Sequence, residues 1–371
     1  MAETADRIRE LLQVAGITIN GSEPWDIQIK DPRFYNRVLQ GGSLALGESY
    51  VEGWWEVEKL DEFFNRVLRA NLGDRIAHDW RFLLQAARAR LFNVQDMVQA
   101  SSSVRRHYDK GNNLYQAMLD KRLVYTCAYW KQAADLDTAQ DHKLDLVCRK
   151  IGLKSGQRIL DIGCGWGSFA KFAAERYGAI VTGVTLSPEQ VALGKKLCTG
   201  LPVDILLQDY RQIKGTFDHI ISLGMFEHVG VKNYRTYMQV AREHLAEDGF
   251  FLLHTIGGNH SATTTDPWLD RYIFPGSLLP SAAQITRAIG GVFVIEDWHN
   301  FGPDYDRTLM AWWYNFDRYW PELEVEYGKP FYRTWKYYLL SCAGSFRARK
   351  NQLWQIVLSK KGIVGGYQSI R

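Results

Sequence analysis

A chain of 371 residues exceeds the usual size of one domain, so two domains are expected. Hydrophobic residues at 46% and charged residues at 23% describe a globular protein with a sizeable core. A net charge of +4 is too mild for a nucleic-acid binder, although a local basic patch would still meet an anionic lipid surface. The five cysteines (Cys127, Cys148, Cys164, Cys198 and Cys342) form no C-x-x-C pair and have no His at metal spacing. A reduced, cytoplasmic protein without structural zinc is expected. No apolar run approaches the ~18 residues of a membrane span, and Met1 to Glu10 is too polar for a signal peptide. Membrane contact, if made, is peripheral.

Residues 1–95 read as a mostly helical N-terminal domain for membrane docking or self-association. Ile8, Leu11, Leu12 and Val14 mark a helix ended near Gly16, and a short strand is expected before Ile29. Asp31-Pro32 reads as a helix start. The glycines between Gly41 and Gly53, beside Trp54 and Trp55, predict a tightly packed turn between helices. Arg81 to Phe92 is basic and apolar at helical spacing, fit for an anionic lipid interface or for packing on its own domain. Asn93 to Ser103 is polar, and the linker is set at 96–108, ahead of a catalytic domain over 109–371.

That domain is organised by Arg158 to Gly167 (RILDIGCGWG), a short apolar strand running into alternating glycines, with an amphipathic segment from Ser168 to Arg176 behind it. Gly163, Gly165 and Gly167 allow a sharp turn and close approach to a ligand, and the next helix points its amide groups there. A dinucleotide site wants G-x-G-x-x-G and an acid after the second strand. Here Ser168 takes the last position and Val184-Thr185-Leu186-Ser187 carries no acid. D-x-G-x-G-x-G from Asp161 instead looks like motif I of the S-adenosylmethionine-dependent methyltransferases, with Asp209 placed where an acid meets adenine. Further strands are expected over Phe217 to Leu223, Gly249 to His254 and Val292 to Trp298, with helices over Leu136 to Ile151 and Tyr234 to Leu245. Strands alternating with helices imply a parallel sheet covered on both faces, its ligand beyond the strands' carboxyl ends.

Several motifs occur in a fixed order: His107 to Asn112 (HYDKGN), Tyr125 to Tyr129 (YTCAY), Leu160 to Gly167, Gly224 to Gly230 (GMFEHVG) and Leu252 to Gly257 (LLHTIG). Tyr272 to Gly276 (YIFPG) and Glu296-Asp297, ahead of Tyr305, complete the set. Together they closely resemble the cyclopropane-fatty-acyl-phospholipid synthases over nearly the whole chain. The resemblance implies an α/β, Rossmann-like class I S-adenosylmethionine-dependent methyltransferase domain behind a smaller helical one. It implies transfer of a methylene from S-adenosylmethionine to the cis double bond of an unsaturated phospholipid acyl chain. It also implies a homodimer, peripheral on the inner face of an anionic membrane, with no nucleic-acid partner.

By the same resemblance Gly163 and Gly165 hold the methionine part of the co-substrate, while Tyr125 and Thr126 close over it. Thr185, Leu186 and Gln190 lie at the ribose, and Gln208 and Asp209 at the adenine. The base is implied to be a bound bicarbonate held by Cys127, Glu227, His254 and Tyr305. From the residues alone, Glu227 or His254 acting directly is the reading. His228 is set aside because its side chain is expected to face away. The thirteen tryptophans exceed what a core needs, so some are expected to line an apolar channel or face transient positive charge.

Overall fold

The computed structural model describes residues 2–72 and 112–371. The basic segment Arg81 to Phe92, the linker and His107 to Gly111 therefore lie outside the described residues. The chain divides into two compact units. The first holds the described residues up to Met118 together with Thr265–Pro275 and Leu309–Lys350. The second holds Leu119–Thr264, Gly276–Thr308 and Asn351–Arg371. Segments from the C-terminal half thus complete the first unit, which the sequence had confined to 1–95.

The first unit contains α1 (Ala2–Val14), α2 (Phe34–Val51), α3 (Leu60–Arg69), α4 (Asn112–Met118) and a two-stranded antiparallel ribbon of β1 (Gln28–Ile29) and β2 (Trp55–Glu56). Of the glycine-rich turn expected over 41–53, only the end at Glu52 and Gly53 (φ 79°) is a turn; Gly41 to Gly47 are instead part of α2, broken at Gly42 (φ 56°). Gly47 explains the composition: a Cβ there would lie 2.3 Å from the Trp268 ring, so the helix packs backbone against indole. Trp55 is fully buried among Phe34, Tyr50 and Phe63, as a structural corner requires, while Trp54 lies under the guanidinium groups of Arg33 and Arg37.

The second unit is built on a seven-stranded sheet. Its strands are β3 (Arg158–Ile162), β4 (Ile180–Thr185), β5 (Val203–Leu207), β6 (Phe217–Leu223), β7 (Leu245–Gly258), β8 (Val294–Asn300) and β9 (Asn351–Ser359), in the spatial order β5-β4-β3-β6-β7-β9-β8. The first five run parallel, and β9 is antiparallel to both β7 and β8. β9 has no counterpart among the strands expected from the sequence. α5 (Leu136–Lys150), α6 (Ser168–Tyr177), α7 (Pro188–Leu197), α8 (Tyr234–His244) and α10 (Ala282–Ile289) belong to this unit, while α9 (Pro267–Tyr272) belongs to the first. The last helix, α11 (Pro303–Arg347), is broken at Gly328 (φ 74°) ahead of Pro330.

Side-chain caps start several of these helices. Asp135 accepts the Thr138 amide at α5, and Ser187, followed by Pro188, accepts the Gln190 amide at α7. Two apolar clusters hold the sheet, one including Phe226, Tyr237 and Phe251, the other Leu144, Ile159 and Phe169. The strand order reverses at β3, between β4 on one side and β6 on the other. A crevice at the carboxyl ends of the strands is where such sheets bind their ligands.

Candidate active site

The crevice holds a cavity of about 260 Å³. Its floor is the loop after β3, where Gly163 adopts φ 82° and a Cβ would lie 2.6 Å from Met225. Gly165 (φ 55°) faces open space, so its missing side chain leaves the backbone accessible from the cavity. Asp161, at the end of β3, is 1% exposed and lines the cavity. Burial pushes its carboxyl up to about 7, and its Oδ2 has no partner among the described residues.

One wall is the segment Leu123 to Thr126, pinned by α5. Gln140 Nε2 donates to the Thr126 carbonyl at 2.8 Å, and Lys143 Nζ donates to the Thr126 hydroxyl at 2.7 Å. Lys143 is fully buried, and desolvation lowers its pKa to about 8. Opposite, the Gly224 Cα approaches Thr126 so closely that a Cβ would lie 2.6 Å from its methyl. At the end of β4 the Thr185 hydroxyl donates to Gln190 Oε1 at 2.6 Å.

The four residues expected at the base, Glu227, His254, Cys127 and Tyr305, are not among the cavity's lining. Glu227, in the loop after β6, follows the cavity residue Met225; its Oε1 accepts the Ile256 amide at 2.7 Å. Burial raises this carboxyl to about 7, and its Oε2 has no partner among the described residues. His254 on β7 is 1% exposed, and burial holds it well below the usual imidazole range, hence neutral. Its Nε2 also lacks a partner among the described residues, and its backbone carbonyl accepts the Gly224 amide at 2.9 Å. Cys127 follows Thr126 and is fully buried; desolvation and the Asp304 charge raise its thiol, which donates to the Ala128 carbonyl at 3.2 Å.

Tyr305 lies in the first turn of α11. Its neighbour Asp304 accepts the Trp130 amide at 2.8 Å, and Thr308 one turn on accepts the Ala128 amide at 3.1 Å. Those bonds tie this helix start to the Cys127 segment. Phe301 stands edge-on to both the His254 ring at 5.9 Å and the Tyr129 ring at 5.3 Å.

Of the residues expected at the co-substrate, Tyr125, Thr126, Gly163, Gly165, Thr185 and Gln190 line this one cavity. Leu186, Gln208 and Asp209 do not: Leu186 is 69% exposed, and the Asp209 carboxylate is engaged by Arg211 at 2.8 and 2.7 Å. Lys143 and Asp161 also line the cavity, and His228, expected to face away, borders it while remaining exposed. Asp161 carried a sequence signal as the acid of the glycine motif. Lys143 carried none, because a lysine within a polar helix reads as solvated.

A family model described as mycolic acid cyclopropane synthetase matches residues 95–356. The cyclopropane-fatty-acyl-phospholipid synthase of Escherichia coli K12 is 52% identical over 362 residues, covering 98% of this chain and 94% of that protein. Sphingolipid C9-methyltransferase A of Emericella nidulans is 34% identical over 76% of this chain and 60% of its own length. Among solved structures, the cyclopropane synthase MmaA2 of Mycobacterium tuberculosis superposes with a TM-score of 0.65 at 30% identity, covering 71% of this chain and 100% of that one. The mycolic acid cyclopropane synthase CmaA1, solved with SAH and CTAB, gives 0.65 at 30% identity, covering 69% and 97%. The fold is that of the class I S-adenosylmethionine-dependent methyltransferases, and the chain is an enzyme that belongs to the mycolic acid cyclopropane synthetase family.

Proposed function

We propose that the protein converts the cis double bond of an unsaturated phospholipid acyl chain into a cyclopropane ring, with a bound bicarbonate as general base. S-adenosylmethionine supplies the ring carbon as an electrophilic methyl group and leaves as S-adenosylhomocysteine. The ring closes when one proton is lost from that carbon. The likeness to the Escherichia coli phospholipid synthase supports the substrate class.

The co-substrate reading suits the cavity. Gly163 and Gly165 offer bare backbone, and the unpartnered Asp161 Oδ2 offers an acceptor for an ammonium group. Tyr125 and Thr126 close the wall, and the Thr185–Gln190 pair stands at the ribose side. Leu186, Gln208 and Asp209, at the ends of β4 and β5, extend the site toward the adenine in this proposal.

The observation that carries the base site is the pair of buried, unpartnered atoms Glu227 Oε2 and His254 Nε2. Buried polar atoms without partners are costly, so their retention points to a small polar occupant. Bicarbonate has one O–H to give an ionised Glu227 and oxygens to accept from His254 and Tyr305, with Cys127 beside them in the same site. It is small enough to take a proton deep in an apolar channel, where a carboxylate side chain would itself invite methylation.

No described helix is long and apolar enough to cross a membrane, so the acyl chain is met at a membrane surface in this reading. We place the enzyme there as a peripheral homodimer on the cytoplasmic, anionic face. Turnover in carbonate-depleted buffer tests the base. It should fall at least tenfold and return on adding bicarbonate; undiminished turnover would leave Glu227 or His254 as the direct base.

A further inference from the structure

Behind His254 runs a row of buried polar side chains for which the reaction above has no use. In register, Gln355 of β9 stands opposite His254 of β7 on one side and His299 of β8 on the other. Gln355 is fully buried, and Lys150, at the end of α5, is 1% exposed. Lys150 Nζ lies 2.8 Å from Gln355 Oε1 and 3.0 Å from His299 Nδ1, and Gln355 Nε2 lies 3.2 Å from His254 Nδ1.

The polarity of this row is fixed from its far end. As an ammonium, the Lys150 nitrogen has three protons to give and no lone pair, so it donates. The Gln355 oxygen must face it, and the amide N–H then points at His254. A ring nitrogen that accepts an N–H bond is bare, so the single proton of the neutral ring resides on Nε2. That nitrogen is the one without a partner among the described residues.

We propose that Lys150 and Gln355 are positioning residues that lock His254 in its Nε2–H tautomer and present that proton to the base site. The inference rests on the reading of His254 as part of that site. An apolar residue at 355 would leave Lys150 Nζ with His299 alone and His254 Nδ1 without its donor, freeing the ring to take either tautomer. A buried polar row is justified physically when its members satisfy one another, and here the row is bonded from Lys150 through Gln355 to His254 Nδ1, leaving Nε2 at its end for an occupant. Burial keeps His254 and His299 neutral, His299 being lowered to about 3, so the tautomer is a genuine two-way choice.

The test is Gln355→Glu, which keeps the size and pairs with Lys150 but cannot donate to Nδ1. With ¹⁵N-histidine labelling, the His254 signals are assigned by their loss in His254→Ala. The wild-type enzyme should show a bare Nδ1 and a protonated Nε2. Gln355→Glu should move the proton to Nδ1 and lower turnover at least about tenfold, the scale seen when partners that orient a functional histidine are lost. A protonated Nδ1 in the wild type, or an unchanged tautomer in the variant, would overturn the proposal. So would a changed tautomer at unchanged turnover. If Gln355→Glu does not fold, the wild-type spectrum decides, and Gln355→Met should lose the exclusive Nε2–H form and show a mixture of tautomers; an exclusively Nε2–H ring there would overturn the proposal. Full turnover in His254→Ala would instead remove His254 from the base site, whatever its tautomer.

Discussion

Glu227 is bonded to the strand that carries His254, two residues further along it: its Oε1 accepts the Ile256 amide at 2.7 Å. Side chains two apart on a strand share a face. The carboxylate is thereby held by backbone on one oxygen while the other, Oε2, is left for an occupant. Glu227→Gln keeps the shape and the Ile256 bond but removes the anionic acceptor. Its affinity for S-adenosylmethionine should stay within about twofold of wild type, by calorimetry, while turnover falls about 100-fold or more.

The same substitution should stabilise the protein at alkaline pH. Burial raises the Glu227 pKa to about 7, above its unfolded value of 4.5. Between those limits the folded state holds a proton that the unfolded state has released, so stability falls as pH rises from 4.5 through 7. Above pH 7 the ionised carboxylate costs roughly 3 kcal/mol relative to the neutral one. Glu227→Gln lacks that loss, so its denaturation midpoint at pH 8 should exceed that of wild type, and the gap should close toward pH 4.5.

Activity follows the opposite sign. An ionised Glu227 is the acceptor in the base site, so kcat/KM should rise as pH passes through about 7. The residual activity of Glu227→Gln should lack this acid limb. A pH–rate series on both proteins, with bicarbonate held constant, checks it.

Lys143 ties α5 to the cavity wall through Thr126. Replacing it by Met removes a charge-assisted bond, typically about 1.5–3 kcal/mol, and frees Thr126. Lys143→Met should raise the KM for S-adenosylmethionine about tenfold or more with a smaller change in kcat, measured by initial rates over a co-substrate series.

Gly165 offers the cleanest test of the co-substrate cavity. Its φ of 55° costs an alanine about 1 kcal/mol, and a Cβ there meets no protein atom within 4 Å. Gly165→Ala should fold with a near-normal melting temperature yet bind S-adenosylmethionine at least tenfold more weakly. Gly224→Ala, whose Cβ would strike the Thr126 methyl, should lose stability as well.

Two strands of the parallel half, β3 and β6, were legible in part because each runs into a glycine of positive φ that its turn requires, Gly163 and Gly224. β9 was not. Its run Leu353-Trp354-Gln355-Ile356-Val357-Leu358 is short and interrupted by a glutamine, and a short apolar run does not by itself distinguish strand from helix. Gln355 makes sense only beside Lys150 and His254, partners that a linear reading does not bring near. Gly47 was misplaced in a turn for the same reason, since its cause is the Trp268 ring against it. Glu227, His254, Cys127 and Tyr305 were named through family resemblance; their types alone left open whether a carboxylate or imidazole acts directly.

The central claim is ring formation on an unsaturated acyl chain, and product structure tests it most directly. Purified protein would be incubated with vesicles of a mono-unsaturated phospholipid, S-adenosylmethionine and bicarbonate, and the released fatty acids analysed by mass and by mild hydrogenation. The predicted product is one methylene heavier than the substrate acid and takes up no hydrogen. A product of that mass that still takes up hydrogen, as a methylene or methyl-branched alkene does, would contradict it.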